Sequence, residues 1–236
     1  MKVVIGCPVR SREWIMRRWF FHTSMAAEFA GVDVEYVFVV AADDPSREVI
    51  AASAPGPYRF VDSQEVTAPD LRGWNPTRFR HMTILRNWLL NAVRETDPDY
   101  FLSLDSDILL HEDALHNLID TAGSGYDAVG GKCWMTDLKD ACSYLMLINS
   151  HGFVRPDVHN VIPVDVIMAI KLMSRKAYAI DYIFDSDGED VGWSREATRV
   201  GLKLGFDGRV CSKHVMREFD VDGTSRLNAI DPRCGY

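Results

Sequence analysis

The sequence predicts an α/β fold: a mixed, mainly parallel sheet flanked by helices. Three observations carry that expectation. Short apolar runs rich in β-branched residues alternate with helix-length segments through the first half of the chain. Turn residues punctuate them at Gly31, Asp43-Asp44-Pro45 and Asp97-Pro98. The 236 residues are 47% hydrophobic and 25% charged, enough apolar material to cover both faces of a sheet.

The elements follow in order. Lys2 to Gly6 is a β-branched run that stops at Cys7-Pro8, a buried first strand. Trp14 to Ala30 has helical character, and Gly31 is its C-cap. Val34 to Ala42 is a second buried strand, Arg47 to Ser53 a short helix, and Tyr58 to Val61 a third strand. Thr67 to Thr77 is loop, and Arg78 to Thr96 is a long helix that Asp97-Pro98 ends. Tyr100 to Leu104 is a strand and Glu112 to Ala122 a helix. Tyr126 to Lys132 is strand-like, broken by Gly130-Gly131. Beyond it the pattern is less regular. Val164 to Ser174 fits either a strand or a helix. Asp190 to Leu204 reads as a helix capped by Gly205, and Arg209 to Cys211 as a strand. No repeat, low-complexity tract or linker divides the chain, so residues 1–236 are expected to form a single domain with halves at 1–110 and 111–236.

The formal net charge of -8 argues against bulk attraction to nucleic acid or an anionic membrane. No apolar run reaches the length of a membrane span, and the first residues form a strand rather than a signal peptide. The five cysteines show no metal spacing and read as reduced thiols of a cytoplasmic protein. The cluster Arg10, Arg12, Arg17 and Arg18 could touch phosphate but reads first as a solvated helix face.

Asp105-Ser106-Asp107 is the first chemical motif. Other Asp-x-Asp pairs occur, but only this one follows directly on a buried-looking strand. Ligands of open α/β sheets sit beyond the carboxyl ends of strands. Two carboxylates there offer hard oxygens to Mn²⁺ or Mg²⁺, and such a metal can stabilise a departing diphosphate. Ile108-Leu109-Leu110 follows at once, so these charges need a partner. Arg78, Arg80 and Arg86 could meet phosphate oxygens. Asp43 or Asp44 could accept hydrogen bonds from a ribose or a base.

The second motif is the acidic run Asp185-Ser186-Asp187-Gly188-Glu189-Asp190. As a calcium loop it fails, because the glycine comes two positions too early. A carboxylate at a helix start near an acceptor hydroxyl can act as a general base, which makes Glu189 and Asp190 the catalytic candidates. His214 follows the last expected strand and is a competent Mn²⁺ ligand. The other histidines considered (His81, His111, His116, His151 and His159) read as ordinary. Trp74, Trp134, Trp193 and Tyr144 read as core before sugar-stacking platforms. Gly130-Gly131 could admit a donor sugar close to the backbone.

The stretch Asp99 to Asp107 resembles the metal-binding signature of glycosyltransferases with the A-type fold. Arg86-Asn87 resembles the Arg-Asn of the donor-side helix in family 2 members. Gly6-Cys7-Pro8-Val9-Arg10 resembles their nucleotide-binding opening, and Glu189-Asp190 with Trp193, Arg195, Gly201 and a later histidine resembles their acceptor side. The resemblance implies a metal-dependent transferase acting on a nucleoside diphosphate sugar, UDP-sugars first, with inversion ahead of retention. It places the donor on 1–110 and the acceptor on 111–236. Pro8, Arg10, Asp43, Asp44, Arg80, Arg86, Asp105, Ser106 and Asp107 would then bind the donor. Asp105, Asp107 and His214 would hold Mn²⁺ or Mg²⁺, and Asp190 would be the base with Glu189 in reserve. The acceptor stays open among a modified DNA base, a protein and a glycan, as does the oligomeric state. A sugar nucleotidyltransferase is the rival enzyme, although Pro8 to Arg12 lacks its glycine-rich phosphate loop. A non-catalytic nucleotide- or sugar-binding module is the rival from outside enzymology.

Overall fold

The computed structural model describes residues 1–63, 75–135, 159–215 and 218. The first half alternates as expected: β1 (Lys2–Pro8), α1 (Glu13–Ala30), β2 (Asp33–Val40), α2 (Ser46–Ser53), β3 (Tyr58–Asp62), α3 (Pro76–Thr96) and β4 (Tyr100–Leu104). There follow β5 (Ile108–Leu110), α4 (Ala114–Gly123), β6 (Ala128–Gly131), β7 (Trp134–Met135) and β8 (Val161–Pro163). The chain continues through β9 (Ile170–Ser174), α5 (Arg175–Tyr178), α6 (Glu189–Arg199), β10 (Leu204–Asp207) and β11 (Ser212–His214).

Eight strands form one sheet in the order β3-β2-β1-β4-β9-β6-β10-β8. Strands β1 to β4 run parallel, as do β6 and β10, while β9 lies antiparallel between β4 and β6. Strand β8 closes the far edge antiparallel to β10. Because successive side chains point to opposite faces, both faces must be covered. Val3, Ile5 and Cys7 face a core shared with α1, α2 and α4, where Trp19, Phe20, Tyr36 and Phe38 interlock edge to face. Val4, Val37 and Phe101 face the opposite core, shared with α3, α5 and α6. Each large side chain buried this way stabilises the fold by about 1.5–3 kcal/mol.

Several expectations change. Asp97 does end α3, in the left-handed region at φ 43°. Helix α6, however, stops at Arg199, because Gly201 turns the chain at φ 88°; Gly205 lies inside β10 and caps nothing. Of the ambiguous 164–174 segment, Ile170–Ser174 forms the antiparallel strand β9, and 164–169 is neither helix nor strand. The last strand begins at Ser212, since Val210 is held in a turn by the Asp207 carbonyl at 3.1 Å. Ile108–Leu110 is a strand of a second sheet, ordered β5-β11-β7. Cys7 and Cys133 are in no disulfide, but Cys211 is disulfide-bonded, so the cysteines are not all reduced as expected. Among the described residues, no helix is long and apolar enough to cross a membrane.

Candidate active site

The carboxyl ends of β1, β2, β4 and β6 share one edge of the sheet, and antiparallel β9 starts there. Asp105 leaves β4 at that edge. Its N–H donates to the Ala169 carbonyl at 3.3 Å, and its own carbonyl accepts from Ile108 at 3.0 Å. Ser106 is buried between the two aspartates. The short strand β5 then pairs with β11, setting His214 opposite Ile108. This pairing carries a residue 107 positions later in sequence onto Asp107: His214 Nε2 lies 3.3 Å from Asp107 Oδ1. Arg12 Nη2 donates to the other oxygen, Asp107 Oδ2, at 2.9 Å. His214 and Arg12 outweigh the cost of enclosure and hold the Asp107 carboxyl below its usual range.

Asp105 is held differently. Arg86, 3% exposed, reaches it from α3 and also donates to Ser103 Oγ at 3.0 Å. Arg86 therefore serves as the fixed counter-ion of Asp105, and is not left facing open space for a phosphate. Asp107 and His214 suit Mn²⁺ or Mg²⁺ by chemistry, pairing a hard carboxylate with an imidazole. Arg12 already accommodates positive charge at the same carboxylate. Among the described residues no group of three His, Cys, Asp or Glu side chains gathers closely enough to hold a metal alone. The remaining positions would fall to diphosphate oxygens and water.

The acidic pair opens α6. Both Glu189 and Asp190 are buried, at 6% and 8% exposure. Lys171 Nζ, rising from β9, donates to Asp190 Oδ1 at 2.8 Å and to Tyr182 Oη at 3.3 Å. Its ammonium lies 4.2 Å from the Trp193 ring centroid and 4.9 Å from that of Tyr182. The Ala169 backbone N–H also favours the charged form of the Asp190 carboxylate. Burial alone would raise the Asp190 pKa, but Lys171 and then Arg86 hold it below the usual carboxylate value. Glu189 goes the other way: burial, then the Asp190 charge, push it up to about 7. The enclosed charges thus balance when Glu189 keeps its proton, with Arg86 and Lys171 set against Asp105 and Asp190.

Ala169 ties the two motifs together. Its carbonyl accepts from the Asp105 N–H, and two residues on Lys171 holds Asp190. It does so at φ 61°, a left-handed conformation that is uncommon outside glycine and clusters at functional sites.

The other expected residues are placed as follows. Pro8 ends β1 half-buried, and Arg10 and Asp43 are exposed just beyond the same edge. Asp44 faces inward, accepting from Ser11 N at 2.8 Å and Ser46 N at 2.9 Å, so it secures the loop that carries Arg12. Arg12 is consequently no part of a solvated face, whereas Arg17 is exposed. Arg80 stacks over the Phe184 ring at 4.3 Å. Asn87 exchanges hydrogen bonds with the Tyr182 backbone at 2.9 and 2.7 Å, pinning the strand of chain that leads into the acidic run. Asp185 and Asp187 are bound by Arg195 and form an exposed turn. Trp193 is core, fully buried. A Cβ on Gly131 would come within 2.2 Å of Val210, so this glycine admits the 208–210 turn rather than a sugar. Trp74, Tyr144, His151 and the Trp134 side chain lie outside the described residues. Sequence reasoning missed Lys171, Arg12 and Ala169. The one available signal was Lys171 as a lone charge inside the apolar run Met168 to Met173.

No protein-family model and no curated protein matches the chain. Solved structures do match. A197 from STIV superposes with a TM-score of 0.54 at 13% identity, over 92% of this chain and 87% of that one. TarS 1-349 from S. aureus superposes with a TM-score of 0.59 at 11% identity, over 98% of this chain. The chain spans 65% of that TarS structure. TarS has also been solved in complex with UDP and with UDP-GlcNAc, each superposing with a TM-score of 0.58. At such identities the likeness concerns the fold, and the fold is that of the A-type glycosyltransferases.

Proposed function

We propose that this chain is a metal-dependent glycosyltransferase that moves a sugar from a nucleoside diphosphate sugar to an acceptor hydroxyl with inversion. The observation that carries the reading is the pairing of β4 with β9, which sets Ser103, a partner of the Arg86 that holds Asp105, opposite Lys171, the partner of Asp190. A carboxylate corner suited to a diphosphate and a charged carboxylate suited to a hydroxyl proton then stand side by side at one end of the sheet.

Asp190 accepts the acceptor proton as the new glycosidic bond forms. The bond between the anomeric carbon and the phosphate oxygen breaks, and its electron pair leaves with the diphosphate. Asp107 and His214 would hold Mn²⁺ or Mg²⁺, which when bound supplies charge neutralisation at that leaving group. Arg86 keeps Asp105 fixed, and Pro8, Arg10 and Asp43 line the nucleotide end of the edge. Arg12 is free to exchange Asp107 for a phosphate oxygen, since guanidinium forks suit both. UDP-sugars are the first donors to test, because TarS structures of this fold hold UDP and UDP-GlcNAc.

The test is a donor panel of UDP-, GDP- and TDP-sugars, incubated with Mn²⁺ or with EDTA, with released nucleotide as readout. Release from one donor, abolished by EDTA and by Asp107→Ala, is the expected result. Release that survives both would overturn the metal assignment, and nucleotide binding without release from any donor would favour a binding module.

A further inference from the structure

Lys171 does not belong in its setting by composition. It is 1% exposed on a central strand, among Ile170, Leu172 and Met173, all fully buried. Burying an ammonium costs several kcal/mol unless it is paired and hydrogen-bonded. Here the pairing is aimed at one oxygen of the Asp190 carboxylate. Register makes the aim possible: Lys171 lies directly opposite Ser103 of β4, so both side chains stand on the same face of the sheet. Ser103 Oγ accepts from Arg86, which also donates to Asp105. One face of the β4–β9 pair thus lines up Asp105, Arg86, Ser103, Lys171 and Asp190.

The ammonium is confined on its remaining sides. The Trp193 ring from α6 and the Tyr182 ring from the preceding segment lie against it, and Tyr182 Oη accepts from it. Tyr182 is itself clamped by Asn87 of α3. A cation locked by two rings and two oxygens cannot swing to solvent. It fixes which way the Asp190 carboxylate lies.

We infer that Lys171 is a positioning residue for transfer: through its bond to Oδ1 it fixes the orientation and charge of the Asp190 carboxylate that receives the acceptor proton. The inference rests on Asp190 being the base. Lys171 acts on turnover only through Asp190 and makes no contact with donor or acceptor. The depressed Asp190 and raised Lys171 pKa values agree with such a pair, although burial opposes the charged form of each.

The experiment compares Lys171→Met, Lys171→Arg, Asp190→Asn and the Lys171→Met/Asp190→Asn double variant. Hydrolysis of the UDP-sugar, with water as acceptor, is followed for kcat and KM, and UDP affinity is measured by calorimetry. Lys171→Met is expected to lower kcat about a hundredfold while donor KM and UDP affinity stay within about twofold. Lys171→Arg should recover about tenfold of that loss, and the double variant should be no slower than Asp190→Asn alone. A folded Lys171→Met with kcat within about threefold of the parent would overturn the inference, as would losses that simply multiply in the double variant. If Lys171→Met does not fold, Lys171→Arg decides by the same criterion, slowing the parent but not the Asp190→Asn background. Asp190→Asn with full turnover would instead refute the assignment of the base, whatever the Lys171 variants do.

Discussion

Asp107 and Asp190 are neutralised in opposite ways. Asp107 is met by Arg12 and His214, whose side chains are 32% and 20% exposed and come from a loop and the short middle strand of the second sheet. Asp190 is met by Lys171, whose side chain is 2% exposed on a central strand behind two aromatic rings. A counter-ion that solvent can reach can be exchanged for a ligand. One sealed into the core cannot, and it serves to keep its partner charged and oriented. On the proposed function, the same residue type, aspartate, serves binding at one corner and proton transfer at the other.

The comparison can be broken most sharply at Asp190. Asp190→Asn should lower turnover roughly a thousandfold while leaving UDP affinity unchanged by calorimetry. A parallel loss of affinity would move Asp190 to the binding corner. Next in size is Arg86→Met, which strips Asp105 of its buried partner. A loss of about 3 kcal/mol in denaturant stability is expected, and an unchanged midpoint would mean that Asp105 relaxes into water.

Glu189 sharpens the contrast through pH. Its folded pKa of about 7 lies above its unfolded value, so the folded state binds the extra proton. The resulting stability is fully present below the unfolded carboxylate pKa and fades as pH rises through 7, by on the order of 2 kcal/mol. Melting temperature should therefore fall from pH 5 to pH 8. Glu189→Gln should flatten that slope, and a slope unaltered by the substitution would assign it elsewhere. The smallest effect belongs to Arg12→Ala. Removing an exchangeable cation from Asp107 should tighten Mn²⁺ binding by a few-fold at low ionic strength, consistent with a partly exposed pair worth at most about 1 kcal/mol. Weaker Mn²⁺ binding would show that Arg12 supports the site rather than competing for it.

The sequence made one corner easier to read than the other. Asp105 and Asp107 are legible because strand, motif and sheet edge are contiguous in the chain, and the alternation that defines β1 to β4 is equally local. His214 was found by order along the chain, but the pairing of β5 with β11 that delivers it to Asp107 joins segments about a hundred residues apart. Lys171 was passed over because its run fits a strand or a helix, and only the strand sets it opposite Ser103. Arg12 was absorbed into a surface cluster because no local pattern reveals that Asp44 draws its loop inward. Gly205 misled for a related reason: a glycine near a helix end suggests a cap, yet the chain had already turned at Gly201.

Ala169 has a steric consequence. Its backbone stands at φ 61°, a region that β-branched residues rarely enter, and its carbonyl accepts from the Asp105 N–H. A valine or isoleucine here would press the backbone out of that region and turn the carbonyl away from Asp105. The residue is a keystone set by size: the corner keeps its shape because the block at its apex is small.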